Sequence, residues 1–485
     1  MKEVNKPLIS NASLSPLYTD LYQLTMGQAY FNSQKHELAS AFDYFFRKLP
    51  FQGGYVVLTG IEELMQVIEG LRFTANDLGY LKELGFQDNF LNYLESFRFR
   101  GSIFGMNEGE LVFPFEPLLR IEGTLLEGQL IETMLLNFLN FQSLIATKAS
   151  RIRHSAGQRL LSDFGLRRAQ SFGALHATKA AIIGGFDNTS NLLAARQYGI
   201  PASGTMAHSF IETFDSELDA FRHYAKTFPD NCVLLVDTYN TLKSGLPNAI
   251  KVANELESKG YKLKAIRLDS GDLAYFAKRA RKMLDESALG YVKIVVSNQL
   301  DEHVIKSLLD QGAPIDIFGV GTSMIIGKPD GAIDGVYKLA EAGGKPRLKI
   351  SDNVQKTTLP GKKKVWRYFD REGKFFADCV ALADEETPTR MIHPFDKDKS
   401  LALLGMGSED LYTCLLENGK TLIKPQTPFE LREKVYQRLQ QLPEEHKRFD
   451  YPHIYKVGLS DKLADLRSQI IKIHQDVGSQ ASGNR

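Results

Sequence analysis

The chain has 485 residues, of which 43% are hydrophobic and 24% charged, with 59 basic and 58 acidic side chains. This length predicts about two or three compact units, and the balanced charge argues against a nucleic-acid or membrane-surface partner. Three widely spaced cysteines argue against a disulfide framework or a zinc site and favour a reducing compartment. The N-terminal segment lacks the apolar core of a signal peptide, and no apolar stretch suits a membrane span, so we expect a cytoplasmic protein.

The N-terminal part mixes helical and extended patterns. An amphipathic helix is predicted over residues 61–71, and residues 110–126 are typical of strands interrupted by two prolines. A long, mostly apolar helix over residues 129–153 ends in basic side chains, which suit a helix C-terminus. We assign residues 1–130 to a mixed α+β segment.

From residue 169 the pattern becomes a regular alternation of helices and short apolar strands. The predicted helices cover 174–183, 189–198, 216–227, 247–260, 273–285 and 301–311, and the predicted strands 232–237, 263–269, 292–298 and 315–321. Short, nearly continuous apolar strands indicate a parallel sheet that is buried on both faces. The sheet could be open and doubly wound or a barrel. We favour an α/β barrel over residues 131–335, complete or not, because no change of strand order is apparent.

The pattern changes again in the C-terminal part. Antiparallel strands are predicted at 336–339, 347–350, 365–369 and 374–380, and a helix at 429–442. We expect residues 336–474 to pack with the N-terminal segment as a second, mixed α+β domain. Residues 475–485 are expected to form a disordered tail.

One histidine, His208, follows a Gly-Thr turn in the nearly uncharged run 204–209, which also contains Thr205. Histidine can be neutral, protonated or phosphorylated near pH 7, and the preceding glycine lets backbone approach a ligand closely. An isolated histidine of this kind is more often structural than catalytic. Its importance therefore depends on the polar residues at the predicted strand ends, where parallel α/β folds place their active sites.

Arg267 and Asp269 alternate along a strand that is predicted to be buried. Unpaired charges in such a position are costly, so these two side chains should meet a ligand or partner charges. The acids at residues 269–272 could hold a metal or a sugar hydroxyl, although Ser270 and Asp272 also suit the cap of the next helix.

Two further runs suit an anion and an aromatic ring. Residues 319–323 include Thr322 and offer backbone N–H groups and hydroxyls for a phosphate, unless they form only a tight turn. Residues 164–168 combine Phe164 with Arg167 and its neighbouring arginine, whose planar forks suit carboxylate and phosphate. A solvated helix start would explain this second run equally well.

Several of these segments occur in an order that resembles the nicotinate phosphoribosyltransferase family, and the resemblance covers nearly the whole chain. The matching segments are 17–22, 163–168, 183–191, 204–209, 267–272 and 319–323. The resemblance implies synthesis of nicotinate mononucleotide from nicotinate and 5-phosphoribosyl 1-pyrophosphate, with release of pyrophosphate, in NAD biosynthesis. It also implies coupling to ATP hydrolysis through a phosphohistidine, magnesium as cofactor, and an irregular α/β barrel of the type II phosphoribosyltransferase kind.

The same resemblance implies roles for individual side chains. His208 matches the phosphorylated histidine, and Asp269 the acid near the ribose and magnesium. The residues that match substrate contacts are Tyr18, Thr205 and Arg267 for nicotinate, Phe164 for ring stacking with Arg167 close by, and Thr322 for the phosphoribosyl group. The N-terminal tyrosine of related enzymes reaches the site of the other subunit, which implies a homodimer with shared active sites. Asp163 stands where many members have glutamate.

Other functions fit the pattern less well. A second hypothesis is a related transferase acting on nicotinamide or quinolinate, and activity assays with the three acceptors, one at a time, would separate these possibilities. A barrel lyase or aldolase acting on a sugar phosphate often needs a lysine at a strand end, whereas Lys264 and Lys293 are not terminal on their predicted strands. A non-catalytic binding protein is least favoured, because histidine, arginine and acids converge at the strand ends.

Overall fold

A computed structural model describes residues 14–351, 353 and 356–482, and the chain divides into two units. Unit 1 comprises Met1–Leu144, Ala332–Gln426 and Glu433–Arg485, and unit 2 comprises Ile145–Gly331 and Thr427–Arg432. The chain therefore begins in unit 1, forms most of unit 2, and then returns to unit 1.

The helices and strands have the following bounds. The helices are α1 Leu21–Asn32, α2 Ile61–Gly70, α3 Ala75–Glu83, α4 Asp88–Glu95, α5 Leu125–Leu130, α6 Glu132–Ala156, α7 Gly173–Ile183, α8 Leu192–Tyr198, α9 His208–Glu212, α10 Glu217–Thr227, α11 Leu246–Glu257, α12 Leu273–Glu286, α13 Glu302–Asp310, α14 Thr322–Ile325, α15 Pro428–Gln441 and α16 Asp461–Ser482. The strands are β1 Ala39–Phe46, β2 Val56–Val57, β3 Ser102–Gly105, β4 Leu111–Val112, β5 Leu119–Thr124, β6 Leu160–Asp163, β7 Asn188–Thr189, β8 Val233–Leu235, β9 Ala265–Leu268, β10 Lys293–Ser297, β11 Ile317–Val320, β12 Gly335–Ala342, β13 Lys345–Pro346, β14 Lys363–Phe369, β15 Phe375–Leu382, β16 Arg390–His393, β17 Asp396–Ala402, β18 Gly407–Asp410, β19 Thr413–Glu417, β20 Lys420–Thr421 and β21 Val457–Leu459.

Unit 2 is built on a six-stranded parallel sheet with the order β7-β6-β11-β10-β9-β8. Its strands are short and apolar, and Ile266, Ile294 and Phe318 are fully buried. Helices alternate with these strands along the chain, so the sheet needs no polar face. The predicted mixed α/β class with a parallel sheet is confirmed.

The order of this sheet differs from the order along the chain at one place. Strands β8 to β11 lie side by side in chain order, but β11 then pairs with β6, the first strand of the unit. In the part of the chain that the structure describes, β7 is not hydrogen-bonded to β8 and makes instead an isolated bridge from Thr189 to Ala202. The segment that leads to His208 therefore leaves the sheet between these two strands.

Unit 1 contains two larger sheets. A seven-stranded sheet has the order β13-β12-β1-β5-β3-β19-β20, and a six-stranded sheet has the order β17-β16-β21-β15-β14-β18. Apolar side chains from early and late segments, such as Phe46, Ile121 and Leu416, share one buried core. The hydrophobic effect therefore joins parts of the chain that are separated in sequence by unit 2.

A buried charge network lies in the interior of unit 1. The Arg367 guanidinium is fully buried and bonds Asp378 at 2.6 Å and Glu110 at 2.5 Å, and the Tyr455 hydroxyl donates to Asp378 at 2.8 Å. Glu116 is also fully buried. Burial, and then the neighbouring Asp378 carboxylate, raise the pKa of Glu116 well above its usual range.

Several predicted bounds were wrong. Residues 347–350 do not form a strand, and β13 stops at Pro346. The Arg347 N–H still bonds the Ala340 carbonyl at 2.8 Å, but the N–H and carbonyl of Lys349 bond Thr358 instead of β12. The helix predicted at 189–198 begins only at Leu192, because the Asn191 side chain caps it. The predicted disordered tail is helical up to Ser482, since an established helix extends at little cost; residues 483–485 lie outside the described residues.

Two further observations concern helices. The long helix predicted at 129–153 is α6, which begins at Glu132 and ends at Ala156. The structure has no helix long and apolar enough to cross a bilayer among its described residues.

We expect Glu116→Gln to make the stability of the protein less dependent on pH. An acid with a raised pKa in the folded state binds a proton on folding, so its favourable contribution is present at low pH. That contribution is lost as pH rises from the ordinary carboxyl value through the raised one. The amide cannot ionise, and we expect it to retain about 1–3 kcal/mol that the wild type loses toward alkaline pH. Urea unfolding at a series of pH values measures this difference, and parallel profiles for the two proteins would contradict it.

Candidate active site

Polar side chains collect at the carboxyl ends of the parallel strands of unit 2. Asp237 and Asp269 follow β8 and β9, Ser297 ends β10, Thr322 follows β11, and Phe164 follows β6. Because the carboxyl ends of parallel strands lie at one edge of a sheet, residues far apart in sequence meet there. The sheet therefore brings the predicted strand-end residues to the same edge of unit 2.

Arg267 makes three polar contacts at this edge. Its Nε donates to Ser297 Oγ at 2.8 Å, and its Nη2 donates to Asp269 Oδ1 at 2.9 Å. Nη1 has only a long contact of 3.4 Å with the Met206 carbonyl. The side chain is 13% exposed, and its guanidinium carbon lies 5.5 Å from the centre of the Phe164 ring. This nearly buried cation therefore keeps some capacity to bind a further anion.

His208 is the first residue of α9 and contacts the same acid. Its Nε2 lies 3.8 Å from Asp269 Oδ2, and its Nδ1 lies 3.1 Å from the hydroxyl oxygen of Thr238. The histidine side chain is 38% exposed, so solvent and ligands can reach it. Asp269 thus contacts Arg267 through one oxygen and faces His208 with the other.

Asp237 has one satisfied and one unsatisfied oxygen. Its Oδ2 accepts hydrogen bonds of 2.7 Å from the Asp269 N–H and from the Ser270 hydroxyl. Its Oδ1 is buried and has no hydrogen-bond partner in the described part of the chain. Mg²⁺ prefers oxygen ligands such as carboxylates. The described residues contain no group of three or more His, Cys, Asp or Glu that could together hold a metal ion.

The position of Phe164 depends on a glycine of β11, the strand that lies beside β6 in the sheet. The Phe164 N–H donates to the Val320 carbonyl at 2.8 Å, which continues the β6–β11 pairing. A Cβ on Gly319 would lie 2.6 Å from two carbon atoms of the phenylalanine ring. Glycine in the run 319–323 therefore serves to admit an aromatic ring as well as to allow a turn.

Asp163 holds the start of the loop that carries Phe164. Its carboxylate is fully buried and accepts 2.8 Å hydrogen bonds from the Gly165 N–H and from the hydroxyls of Thr178 and Thr189. Burial raises the pKa of Asp163, and these three donors partly offset that effect. The predicted difference from glutamate at this position therefore concerns a buried structural carboxylate.

The remaining predicted site residues have fewer contacts. The Thr205 hydroxyl donates to the Val233 carbonyl at 2.9 Å. Arg167 is exposed in a 3₁₀ turn, and Thr322 is exposed at the first position of α14. Tyr18 belongs to unit 1, where it lies in the turn before α1 and is 43% exposed. The structure thus joins Phe164, Arg267, Asp269 and His208 by direct contacts and leaves the roles of the others as predictions.

Sequence reasoning missed two hydroxyl residues of this cluster, Ser297 and Thr238. Ser297 precedes the strand-end Asn298 that the sequence pattern indicates, and Thr238 follows Asp237. Only the three-dimensional contacts with Arg267, Asp269 and His208 distinguish these hydroxyls from other polar residues at strand ends.

Comparisons with known proteins agree over most of the chain. The family described as "Nicotinate phosphoribosyltransferase (NAPRTase) family" matches residues 160–398, and its N-terminal and C-terminal domains match 17–140 and 362–467. The nicotinate phosphoribosyltransferase of Bacillus subtilis is 43% identical over 470 residues, covering 95% of each chain.

Two solved structures support the same relationship. The crystal structure of human nicotinic acid phosphoribosyltransferase has a TM-score of 0.84 at 30% identity, covering 93% of this chain and 99% of that one. The crystal structure of nicotinate-nucleotide pyrophosphorylase from Pyrococcus furiosus has a TM-score of 0.70 at 26% identity, covering 88% and 95%.

Proposed function

The chain belongs to the nicotinate phosphoribosyltransferase family, and we propose that the strand-end cluster of unit 2 is the site where the family's reaction takes place. The enzyme transfers the phosphoribosyl group of 5-phosphoribosyl 1-pyrophosphate to nicotinate in NAD biosynthesis. The observation that carries the proposed location is the contact of one nearly buried guanidinium with an aromatic ring on one side and with Asp269 on another.

The finer architecture is part of the proposal. The sheet of unit 2 is an irregular α/β barrel of the type II phosphoribosyltransferase kind, open between β7 and β8, with a second mixed domain from the N- and C-terminal segments. The pairing of the last strand, β11, with the first, β6, supports this reading, because an open doubly wound sheet does not require it.

Nicotinate is a planar ring with a carboxylate, and the cluster has a group for each part. Arg267 pairs with the carboxylate through its planar fork, and Phe164 stacks on the pyridine ring. Thr205 lies in the same run as Met206, whose carbonyl contacts Arg267, and adds a polar contact. Tyr18 supplies the second aromatic face from the partner subunit of a homodimer with shared sites.

The phosphoribosyl substrate lies along the β11 exit. Thr322 and the backbone N–H groups near it bind phosphate, and the exposed Arg167 adds positive charge. Asp237 and Asp269 would hold magnesium, because the orphaned Asp237 Oδ1 is an oxygen donor of the required kind. When bound, the ion neutralises charge on the departing pyrophosphate.

The transfer step requires little covalent chemistry from the protein. The lone pair of the pyridine nitrogen forms a bond to C1 of the ribose as the bond from C1 to the pyrophosphate oxygen breaks, and pyrophosphate leaves with that electron pair. Positive charge develops on the sugar, and the fixed Asp269 carboxylate stabilises it. Arg267 and Phe164 orient the ring so that its nitrogen faces C1.

ATP acts through His208. A ring nitrogen forms a bond to the γ-phosphorus of ATP as the bond to the bridging oxygen breaks, and ADP leaves with that electron pair. Water later cleaves the N–P bond and releases phosphate. While the phosphoryl group is attached, its negative charge changes the affinity of the neighbouring pyrophosphate subsite. This arrangement couples ATP hydrolysis to the transfer without making it part of the bond exchange at C1. We place the enzyme in the cytoplasm, because its three widely spaced cysteines favour a reducing compartment.

Detection of nicotinate mononucleotide by mass spectrometry, with purified protein and with or without ATP, tests the proposed function. Nicotinate, nicotinamide and quinolinate are supplied one at a time as acceptors. Product from nicotinate, increased by ATP, is the expected result. Product from nicotinamide or quinolinate alone would assign the site to a related transferase.

We expect His208→Ala to abolish stimulation by ATP while slow phosphoribosyl transfer continues. The substitution removes the phosphoryl acceptor but leaves Arg267, Asp269 and Phe164 in place. Initial rates with and without ATP measure the effect, and intact-protein mass shows whether phosphate is attached. Equal stimulation by ATP in the variant and the wild type would refute the role of this histidine.

We expect Arg267→Ala to raise the KM for nicotinate strongly. Removal of one partner of a buried charge pair typically costs about 2–5 kcal/mol, since the other charge stays without its partner. Steady-state kinetics with varied nicotinate and saturating phosphoribosyl pyrophosphate measure this effect. A KM within twofold of the wild-type value would show that another group binds the carboxylate.

A further inference from the structure

We propose that Ser297 is a positioning residue that aligns Arg267 and Asp269 together, and thereby sets the preference for an acidic over an amide acceptor. This inference rests on the proposed function of the strand-end cluster. Ser297 lies at the end of β10 and is 3% exposed. Its hydroxyl contacts both charged residues.

The directions of these two hydrogen bonds follow from the chemistry of the groups. An arginine can only donate, so the Ser297 oxygen accepts from Arg267 Nε. The hydroxyl has one proton, and that proton is donated to Asp269 Oδ1. The serine hydroxyl therefore accepts from the cation and donates to the anion, and it has no second proton to donate to another partner.

The contacts of Arg267 occupy one edge of its guanidinium. Nε and Nη2 form that edge, and they donate to Ser297 Oγ and Asp269 Oδ1 at 2.8 and 2.9 Å. The other edge, formed by Nη1 and Nη2, has only the 3.4 Å contact with the Met206 carbonyl. Two hydrogen bonds on the first edge fix the rotation of the guanidinium plane. The adjacent edge, Nη1 and Nη2, is therefore presented in a single orientation for a bidentate carboxylate.

The Ser297 hydroxyl also contributes to the different contacts of the two Asp269 oxygens. Oδ1 accepts from both Ser297 and Arg267, whereas Oδ2 lies 3.8 Å from His208 Nε2. Loss of the hydroxyl would leave Oδ1 with one donor instead of two, and the carboxylate could rotate. Ser297 therefore acts on the orientation of both charged groups without touching a substrate in the proposed binding mode.

The surroundings of Ser297 require a small side chain. It pairs in register with Gly319, and a Cβ on that glycine would lie 3.3 Å from the Ser297 Cβ. Alanine fits this space and removes only the hydroxyl. A matched control exists on the other side of the same glycine: Ser162 of β6 also pairs with Gly319, is 1% exposed, and does not hydrogen-bond Arg267 or Asp269 among the described contacts.

The experiment compares Ser297→Ala, Ser297→Cys and the control Ser162→Ala by steady-state kinetics in both substrates. For Ser297→Ala we expect the KM for nicotinate to rise about 10- to 100-fold, the range for lost hydrogen bonds to charged groups. The ratio of kcat/KM for nicotinate to that for nicotinamide should fall. The KM for phosphoribosyl pyrophosphate should rise less than the KM for nicotinate, because Asp269 keeps the Arg267 donor at Oδ1. The cysteine thiol branches at the same position but has a larger atom and is only a weak donor and acceptor, so it should give an intermediate KM.

Three outcomes would overturn the proposal. An unchanged KM and acceptor ratio in Ser297→Ala would show that Arg267 keeps its orientation without the hydroxyl. An equal rise of the nicotinate KM in Ser162→Ala would show an effect of packing. A fall of the unfolding midpoint of Ser297→Ala that accounts for its loss of activity would show the same. A wild-type enzyme that makes no nicotinate mononucleotide would instead contradict the proposed function, because this result does not depend on Ser297.

Discussion

The ion pair between Arg267 and Asp269 is the interaction on which the rest of the site depends. Both residues belong to one extended run, β9 and its exit, and two positions apart they can present their side chains on the same face. A guanidinium that is only 13% exposed requires a carboxylate, and a carboxylate beside it requires a cation. Each therefore supplies the opposite charge that the other needs at the point where a ligand charge is to be bound.

The parallel sheet determines which other residues can reach this pair. Ser297 comes from the strand next to β9, and Gly319 from the following strand, where the absent side chain leaves room for the Phe164 ring. Ring, hydroxyl and guanidinium are thus placed by strand order and register rather than by proximity in sequence. The gap between β7 and β8 has a related effect, because it lets the segment with His208 approach the same edge from outside the ladder.

Part of this arrangement could be predicted from sequence because it is local. Short apolar runs predicted β8 to β11, the first two of them ending in an acid, and the alternation of Arg267 and Asp269 indicated paired or ligand-bound charges. The pairing of β11 with β6 has no local signal, since it depends on how the whole sheet curves. Ser297 and Thr238 were missed for a similar reason: a hydroxyl at a strand end is ordinary, and its importance comes from partners on other strands. The strand predicted at 347–350 failed because sequence patterns do not report which backbone groups find a partner.

The one-sided contacts of Arg267 also explain how a chain with a net charge of only +1 can select an acid. Selection does not require a general positive field, because the free edge of one fixed guanidinium is a local site for two oxygen atoms. A carboxylate satisfies that edge completely in the proposed binding mode. An amide in the same place would offer one oxygen and direct its N–H group toward another donor, leaving buried N–H groups without acceptors. Sites that hydrogen-bond a substrate group discriminate strongly against analogues that lack it, because their own polar groups are left unpaired. Discrimination between acid and amide is therefore expected to depend on how rigidly the guanidinium is held, and less on how many charges surround it.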